Sequence, residues 1–264
     1  MNKHQQAASD SMTGQIAEQC PDATPDVESR RLRGSIIRRQ ELRERDINMM
    51  YHLMDLFYAN MTKENFIRDL SKKDYVIVLR DEKEQIQGFS TQQIMHIPMG
   101  EKVLHGVFSG DTIIHKEYWG NMDLFTVFAN FFFQFEEQYQ EFYWFLICKG
   151  YKTYRMLPTF FTEFYPNYKM ETPKEMKKKM DAFGEYYSAG EYDKVTGVLC
   201  YQGIKDTLKE DVAAISKERL RDKNIAFFVE KNPDYQKGND IVCITKLSKD
   251  NLNKRIRQFL LGDE

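Results

Sequence analysis

The stretch SGDTIIHKEYWGNMDLFTVFANFFFQF, residues 109–135, constrains the fold more than any other. It begins extended and apolar at Ile113 and Ile114, turns at Gly120, and runs on as a phenylalanine-loaded helix expected over about 121–140. Directly after it, FYWFLICKG (142–150) is apolar almost without a break, which is the pattern of a strand buried on both faces. A strand, a glycine turn and a helix in that order often cradle a phosphate, because the amides at a helix start point at the anion and the helix dipole favours its charge.

The flanking sequence supplies more strands and helices. GSIIRRQEL (34–42) is expected to be a short strand, and RERDINMMYHLMDLFYANM (43–61) a helix with Ile47, Met50, Leu53, Met54, Phe57 and Tyr58 on one face. Thr62 is placed to cap a second short helix, TKENFIRDLSKK. Three strands follow, at 75–81, 86–98 and 102–115, the last carrying Gly106 and Gly110. Glycine inside a strand marks a bulge or a close approach. Residues 151–168 read as a helix that Pro158 should kink or break. Residues 169–223 read as a helical insertion, with a lysine-rich face at Lys174, Lys177, Lys178 and Lys179. IAFFVEKNP (225–233) and DIVCITKLS (240–248) read as two strands joined by a hairpin-like loop, and NLNKRIRQFLLG as a closing helix. Residues 1–30 are polar, contain Pro21 and Pro25, and are expected to be disordered. The division expected is a tail over 1–30 and a single domain over 31–264.

Composition excludes several classes. Of the 264 residues 42% are hydrophobic, enough for a sizeable core, and the net charge of −2 lacks the basic excess of a general nucleic-acid binder. Cys20, Cys148, Cys200 and Cys243 are far apart, which argues against a disulfide framework or a zinc site and for a reducing, cytoplasmic setting. The N-terminus lacks the apolar run of a secretory signal, and no window reaches the roughly 18 apolar residues of a membrane span. There is no Walker loop, nucleophile elbow or Rossmann fingerprint.

The element order, with HKEYWGNMDLF between strand and helix and FLICKGYKTYRMLPTFFTEFYPNY as the next strand and helix, resembles the GNAT superfamily, the Gcn5-related N-acyltransferases. The resemblance covers roughly 34–168 and 225–248. It implies an α/β (α+β) fold: a mixed, mostly antiparallel sheet with helices on both faces. Its fourth and fifth strands would lie parallel and splay apart to admit the pantetheine arm of an acyl thioester. The family's pyrophosphate signature, Q/R-x-x-G-x-G/A, falls on Trp119, Met122 and Leu124 at its three defined positions, and only Gly120 is glycine. Asp123 adds a competing negative charge. A donor without a nucleotide pyrophosphate fits this loop, so the co-substrate expected is acyl-CoA or an acyl-phosphopantetheine on an acyl carrier protein, with no tightly bound cofactor. The lysine cluster at 174–179 is a candidate surface for an acidic carrier.

Candidate site residues follow from the resemblance. Asp111 and His115, on one strand face with Ser109, are candidates for the general base that deprotonates an amine, or else a polar sheet edge. Tyr165, with Tyr168 as rival, is a candidate to protonate the leaving thiolate, or else packs beside a proline turn. Gly120, Asn121 and Met122 would face the donor's phosphate. Cys148 lies on the strand lining the arm, as a nucleophile or as inert core, and Arg155 holds a phosphate or a carboxylate, or a salt bridge. Phe125, Phe128, Phe131, Phe132 and Phe135 line an acyl tunnel or fill the core. The expected function is acyl transfer from a thioester to an amine on a small molecule or peptide. The alternative is a GNAT-like binding module without catalysis. A homodimer through the phenylalanine-rich helix and the insertion is compatible with either.

Overall fold

In the computed structural model, which describes residues 31–203 and 205–262, an eight-stranded sheet organises the chain. The expectation for residues 1–30 lies outside the described residues. The main strands are β1 (Arg33–Arg38), β3 (Tyr75–Arg80), β4 (Ile86–Met99), β5 (Lys102–Ile114), β6 (Tyr143–Cys148) and β10 (Asp240–Lys246). The short pieces β7 (Tyr192–Asp193) and β8 (Val198–Leu199) finish one edge, giving the order β1-β3-β4-β5-β6-β10-β8-β7. Every neighbouring pair is antiparallel except β5–β6. This is the mixed sheet with one parallel pair that the GNAT resemblance implies.

The strands alternate between two cores, as a pleated sheet must. Ile77, Leu79, Val107, Trp144 and Cys243 face one side. There they meet α3 (Asp123–Phe132), α5 (Tyr151–Phe160), α8 (Lys223–Lys231) and α9 (Lys254–Leu261). Val76, Val78, Phe108, Phe145 and Val242 face the other. There they meet α1 (Glu44–Phe57), α2 (Lys63–Leu70) and α6 (Lys174–Ser188). Met50, Leu53, Met54 and Phe57 of α1 are buried at helical spacing, and Thr62 Oγ1 accepts the Asn65 amide to start α2. The phenylalanine stripe fills the core: Phe125 stacks on Phe160 at 3.7 Å, and Phe128 packs on Trp144 at 4.6 Å. The tunnel reading gives way to close packing.

Four expectations are corrected. The segment expected as a strand over 225–233 lies largely in a helix, α8 (Lys223–Lys231): Asp222 caps it by accepting the Asn224 amide, and Ile225 and Phe228, three apart, bury one face. The apolar run IAFF resembles a strand locally, but α8 packs on α5 through Tyr154, Phe227 and Phe228. The phenylalanine-rich helix breaks into α3 and α4 (Gln134–Tyr139), and α5 runs through Pro158 to end at Phe160. Within the expected insertion, β7 and β8 extend the main sheet, while β9 (Thr207–Leu208) pairs with β2 (Tyr58–Ala59). Among the described residues of that segment α6 and α7 (Glu210–Ala213) are α-helical, and α8 begins at its last residue, Lys223.

Two features of β5 shape the middle of the sheet. Pairing with β6 runs only from Gly106↔Tyr143 to Ser109↔Leu146 and then stops. Pairing with β4 slips at the same place: Ser109 faces Gln92 and Thr112 faces Ser90, so Gly110 and Asp111 together oppose Thr91. Two residues against one is a β-bulge. A chain of buried hydrogen bonds pins it. Trp144 Nε1 donates to Ser109 Oγ at 2.7 Å, and Ser109 Oγ donates to Gln92 Oε1 at 2.6 Å. Gln92 Nε2 donates to Ser90 Oγ at 2.7 Å, and Ser90 Oγ lies 2.7 Å from Thr112 Oγ1. Removing one member leaves others buried and unpartnered, which costs about 1–3 kcal/mol. Ser109→Ala is accordingly expected to lower the unfolding free energy by about 1–3 kcal/mol in urea denaturation. A neutral result would show that the network is not holding the bulge.

Candidate active site

Where β5 and β6 part, a cavity of about 680 Å³ opens on the side of α1, α2 and α6, and reaches the first turn of α5. The bulge places Asp111 in it. Because the bulge breaks the alternation of the strand, Ser109 and Asp111 do not share a face as expected. Ser109 is committed to Trp144 and Gln92, while Asp111 turns to the cavity.

The cavity is rich in paired charge and tyrosine. Lys149, just past β6, donates to the Gly238 carbonyl at 2.9 Å and pairs with Asp240 at 3.3 Å and Asp206 at 3.7 Å. Tyr201 donates to Asp240 at 2.7 Å. Lys73 pairs with Asp69 at 2.8 Å. Trp119 lines the rim with Lys152 Nζ 3.6 Å over its ring. Asp111 has no ion-pair partner among the described residues. Burial pushes its carboxyl up to about 7, the negative fields of Asp69 and Asp206 adding to it and those of Lys73 and Lys149 opposing it. Burial also raises the Tyr58 hydroxyl well above its ordinary range, assisted by Asp111, Asp206 and Asp240, and Tyr187 is raised by burial and the same carboxylates with Asp69. Both phenols therefore keep their protons at neutral pH. An acid poised near neutrality beside protonated phenols is equipped to exchange protons with a bound amine.

Of the candidate catalytic and donor-binding residues named from the sequence, Asp111 alone lines this cavity. His115 follows the end of β5 and lies outside it, its Nδ1 buried without a hydrogen-bond partner among the described residues. Tyr165 pairs its backbone with Ile244 of β10 and donates its hydroxyl to Glu163 at 2.6 Å. Burial, with Glu163, raises it to about 12. It sits in the core between β10 and α6, away from the fork. Cys148 is buried against Cys243, its thiol pushed up by burial, and belongs to the core. Arg155 pairs with Asp222, the cap of α8, at 3.2 Å.

The turn before α3 does not present an open cradle. Gly120 has φ +91° with open space around it, so its glycine serves the turn itself. Asn121 Oδ1 accepts the Asp123 amide at 2.6 Å, and Met122 is buried. Burial raises the Asp123 carboxyl.

The site residues that sequence reasoning missed are Tyr58, Lys73, Lys149, Tyr187, Tyr201, Asp206 and Asp240. Tyr187, Tyr201 and Asp206 come from the segment read as an insertion, and the two-residue pairing of β2 with β9 brings Asp206 beside Tyr58. Lys149, in the CKG that ends the buried strand, was the one visible signal: a cation closing an apolar run.

No family model matches the chain, and no curated protein matches it in sequence. Among solved structures it is similar to a conserved protein of unknown function from Enterococcus faecalis V583, described as a probable N-acyltransferase. Identity is 12% and the TM-score 0.36, over 47% of this chain and 31% of that one. It is similar to a GNAT family N-acetyltransferase from Escherichia coli in complex with CoA, at 12% identity and a TM-score of 0.32, over 47% of this chain and 67% of that one. It is also similar to glucosamine-6-phosphate N-acetyltransferase from Arabidopsis thaliana, at 14% identity and a TM-score of 0.35, over 54% of this chain and 97% of that one. Among the described residues no helix is long and apolar enough to cross a membrane.

The raised proton affinity of Asp111 carries a stability consequence. Between its unfolded value near 4 and its folded value of about 7, the folded state holds the proton more tightly, so stability falls as pH rises through that window and stays lower above it. Asp111→Asn removes the cost. Its melting temperature should match wild type in acid and exceed it at mildly alkaline pH. Equal melting at both would show that Asp111 is not held in a low-dielectric site.

Proposed function

We propose that this protein transfers an acyl group from a thioester to an amine. The observation that carries the reading is the fork. The single parallel pair in the sheet separates after Ser109 and Leu146, and at the point of separation a bulge holds one unpaired carboxylate in a cavity. An extended amide-bearing arm can add to strand edges by main-chain hydrogen bonds, as peptides do at an open sheet edge. The unpaired edges of Gly110 to Ile114 and of Ile147 offer that to a pantetheine arm, and the cavity receives the acyl end.

The chemistry needs a base, a carbonyl polarised for attack, and a proton for the leaving sulfur. Asp111, near neutral pKa, takes the proton from the attacking amine. Backbone at the Gly110–Asp111 bulge, outside regular pairing, faces the carbonyl oxygen. Tyr58, protonated and beside Asp111, replaces Tyr165 as the donor to the departing thiolate. The acceptor is an amine on a small molecule or peptide.

The donor is an acyl-phosphopantetheine, presented by an acyl carrier protein or as acyl-CoA. The closed turn before α3, with its Asp123 amide already capped, favours the form without a pyrophosphate. The lysine face offers less to a carrier than its composition suggests. Lys177, Lys178 and Lys179 are paired with Asp181, Glu175 and Glu141, and they lie near the opposite end of α6 from Tyr187. The same capped turn is what favours a binding module without catalysis as the second reading.

Thiol release separates them. With a panel of acyl-CoA and acyl-carrier donors and primary amines, thiol should appear with kcat/KM rising through about pH 7 as Asp111 loses its proton. Asp111→Asn should lower it by about 10²–10⁴-fold and abolish that limb. Binding of donors without thiol release would establish the second reading instead.

A further inference from the structure

The loop between α2 and β3 carries a lysine that these steps do not use. The Lys73 side chain is 1% exposed and reaches over Phe108, its Nζ 4.8 Å from the ring centre. A buried ammonium is costly unless its donors are met. It has three N–H donors, and Asp69 is the one side chain ion-paired to it among the described residues. The ammonium lies against the bulge of β5. A β-carbon on Gly110 would stand 3.0 Å from Lys73 Nζ, 3.0 Å from its Cε and 2.8 Å from Thr91 Oγ1. Thr91 Oγ1 is itself buried with no hydrogen-bond partner among the described residues. Two under-satisfied polar groups thus converge on the one position of the fork without a side chain, next to Asp111.

We propose that Lys73 is a further catalytic residue: with the Thr91 hydroxyl, it donates hydrogen bonds to the thioester carbonyl oxygen and stabilises the charge that develops there. The role rests on the acyl-transfer reading. As the amine nitrogen bonds to the carbonyl carbon, the carbonyl π pair moves onto oxygen, beside the ammonium, and Asp111 takes the proton from nitrogen. When that pair returns, the C–S bond breaks, and the sulfur leaves with its electrons and takes the Tyr58 proton. Lys73 keeps its protons throughout. A fixed cation in a dry site does this without reorganising, which is why such donors contribute strongly to catalysis. Glycine at 110 leaves room for the oxygen between Lys73 and Thr91.

The test uses wild type, Lys73→Met, and the double variant Lys73→Met with Asp69→Asn, which also removes the partly exposed carboxylate that loses its ion-pair partner. Calorimetry compares two pantetheine probes, an uncharged thioether and one bearing a methylphosphonate in place of the thioester group. Wild type should bind the phosphonate about tenfold more tightly, and both variants should lose the preference while keeping affinity for the thioether. In thiol release the variants should lose kcat on the order of 100-fold with little change in KM, and the loss should persist well above neutrality. If the Lys73 variants do not fold, Thr91→Val reports on the same pocket and should lower kcat by about tenfold. Recovery of kcat at high pH would mean that Lys73 only tunes Asp111, and would overturn the role. So would a wild type with no preference for the phosphonate, or turnover unimpaired in the variants, and either leaves acyl transfer standing. A wild type that binds neither probe and releases no thiol removes acyl transfer itself, and the role of Lys73 with it.

Discussion

The hydrogen-bonded chain from Trp144 through Ser109 and Gln92 to Ser90 and Thr112 is the interaction on which the rest depends. It crosses three strands on one face of the sheet, at the height where β5 leaves β6. Buried polar groups are costly unless satisfied, and a satisfied network fixes one register among several that hydrophobic packing alone would accept. Here the fixed register contains a bulge. The bulge turns Asp111 away from Ser109 and out of the core, and it sets Gly110 against Thr91 and Lys73.

The parallel pair begins as sharply as it ends. At Gly106 a β-carbon would stand 2.6 Å from the Tyr143 carbonyl and 2.8 Å from Phe183, so the two strands approach closely only because that side chain is missing. Four residues later the strands separate. The two cores on either side hold this geometry in place. Phe125, Phe128 and Trp144 pack beneath the fork, and Phe108, Phe145 and Phe183 pack above it. Aromatic rings of this size, close-packed, leave little freedom for the strands to zip shut or slide.

Much of the fold was legible because it rests on local signals. The period of α1, the Thr62 cap, the apolar runs of β3 and β6 and the glycines of β5 each declare their structure within ten or so residues. The errors have the same origin. IAFF is four apolar residues in either structure, and only the Asp222 cap and the packing of Phe228 on Tyr154 decide for a helix. Of the candidate cavity, one residue was named from its strand: Asp111, although the face assigned to it was wrong, because alternation cannot foresee a bulge. Tyr165 and Arg155 were reasonable by chemistry, yet each has a private partner, Glu163 and Asp222, that no local pattern announces.

By itself the sequence determined most of the strands and helices from β1 to α5, the buried face of α1 and the glycines at which chains could approach, since each is written in periodicities of two and 3.6 residues and in the allowed backbone angles of single residues. Tertiary structure decided which polar groups meet. Asp111, Tyr58, Lys73, Lys149, Asp206 and Asp240 come from six separate segments, and short pairings such as β2 with β9 bring them to one cavity. Proton affinity follows from that assembly, because the field of a neighbouring charge and the loss of water depend on distances in space that separation along the chain does not specify.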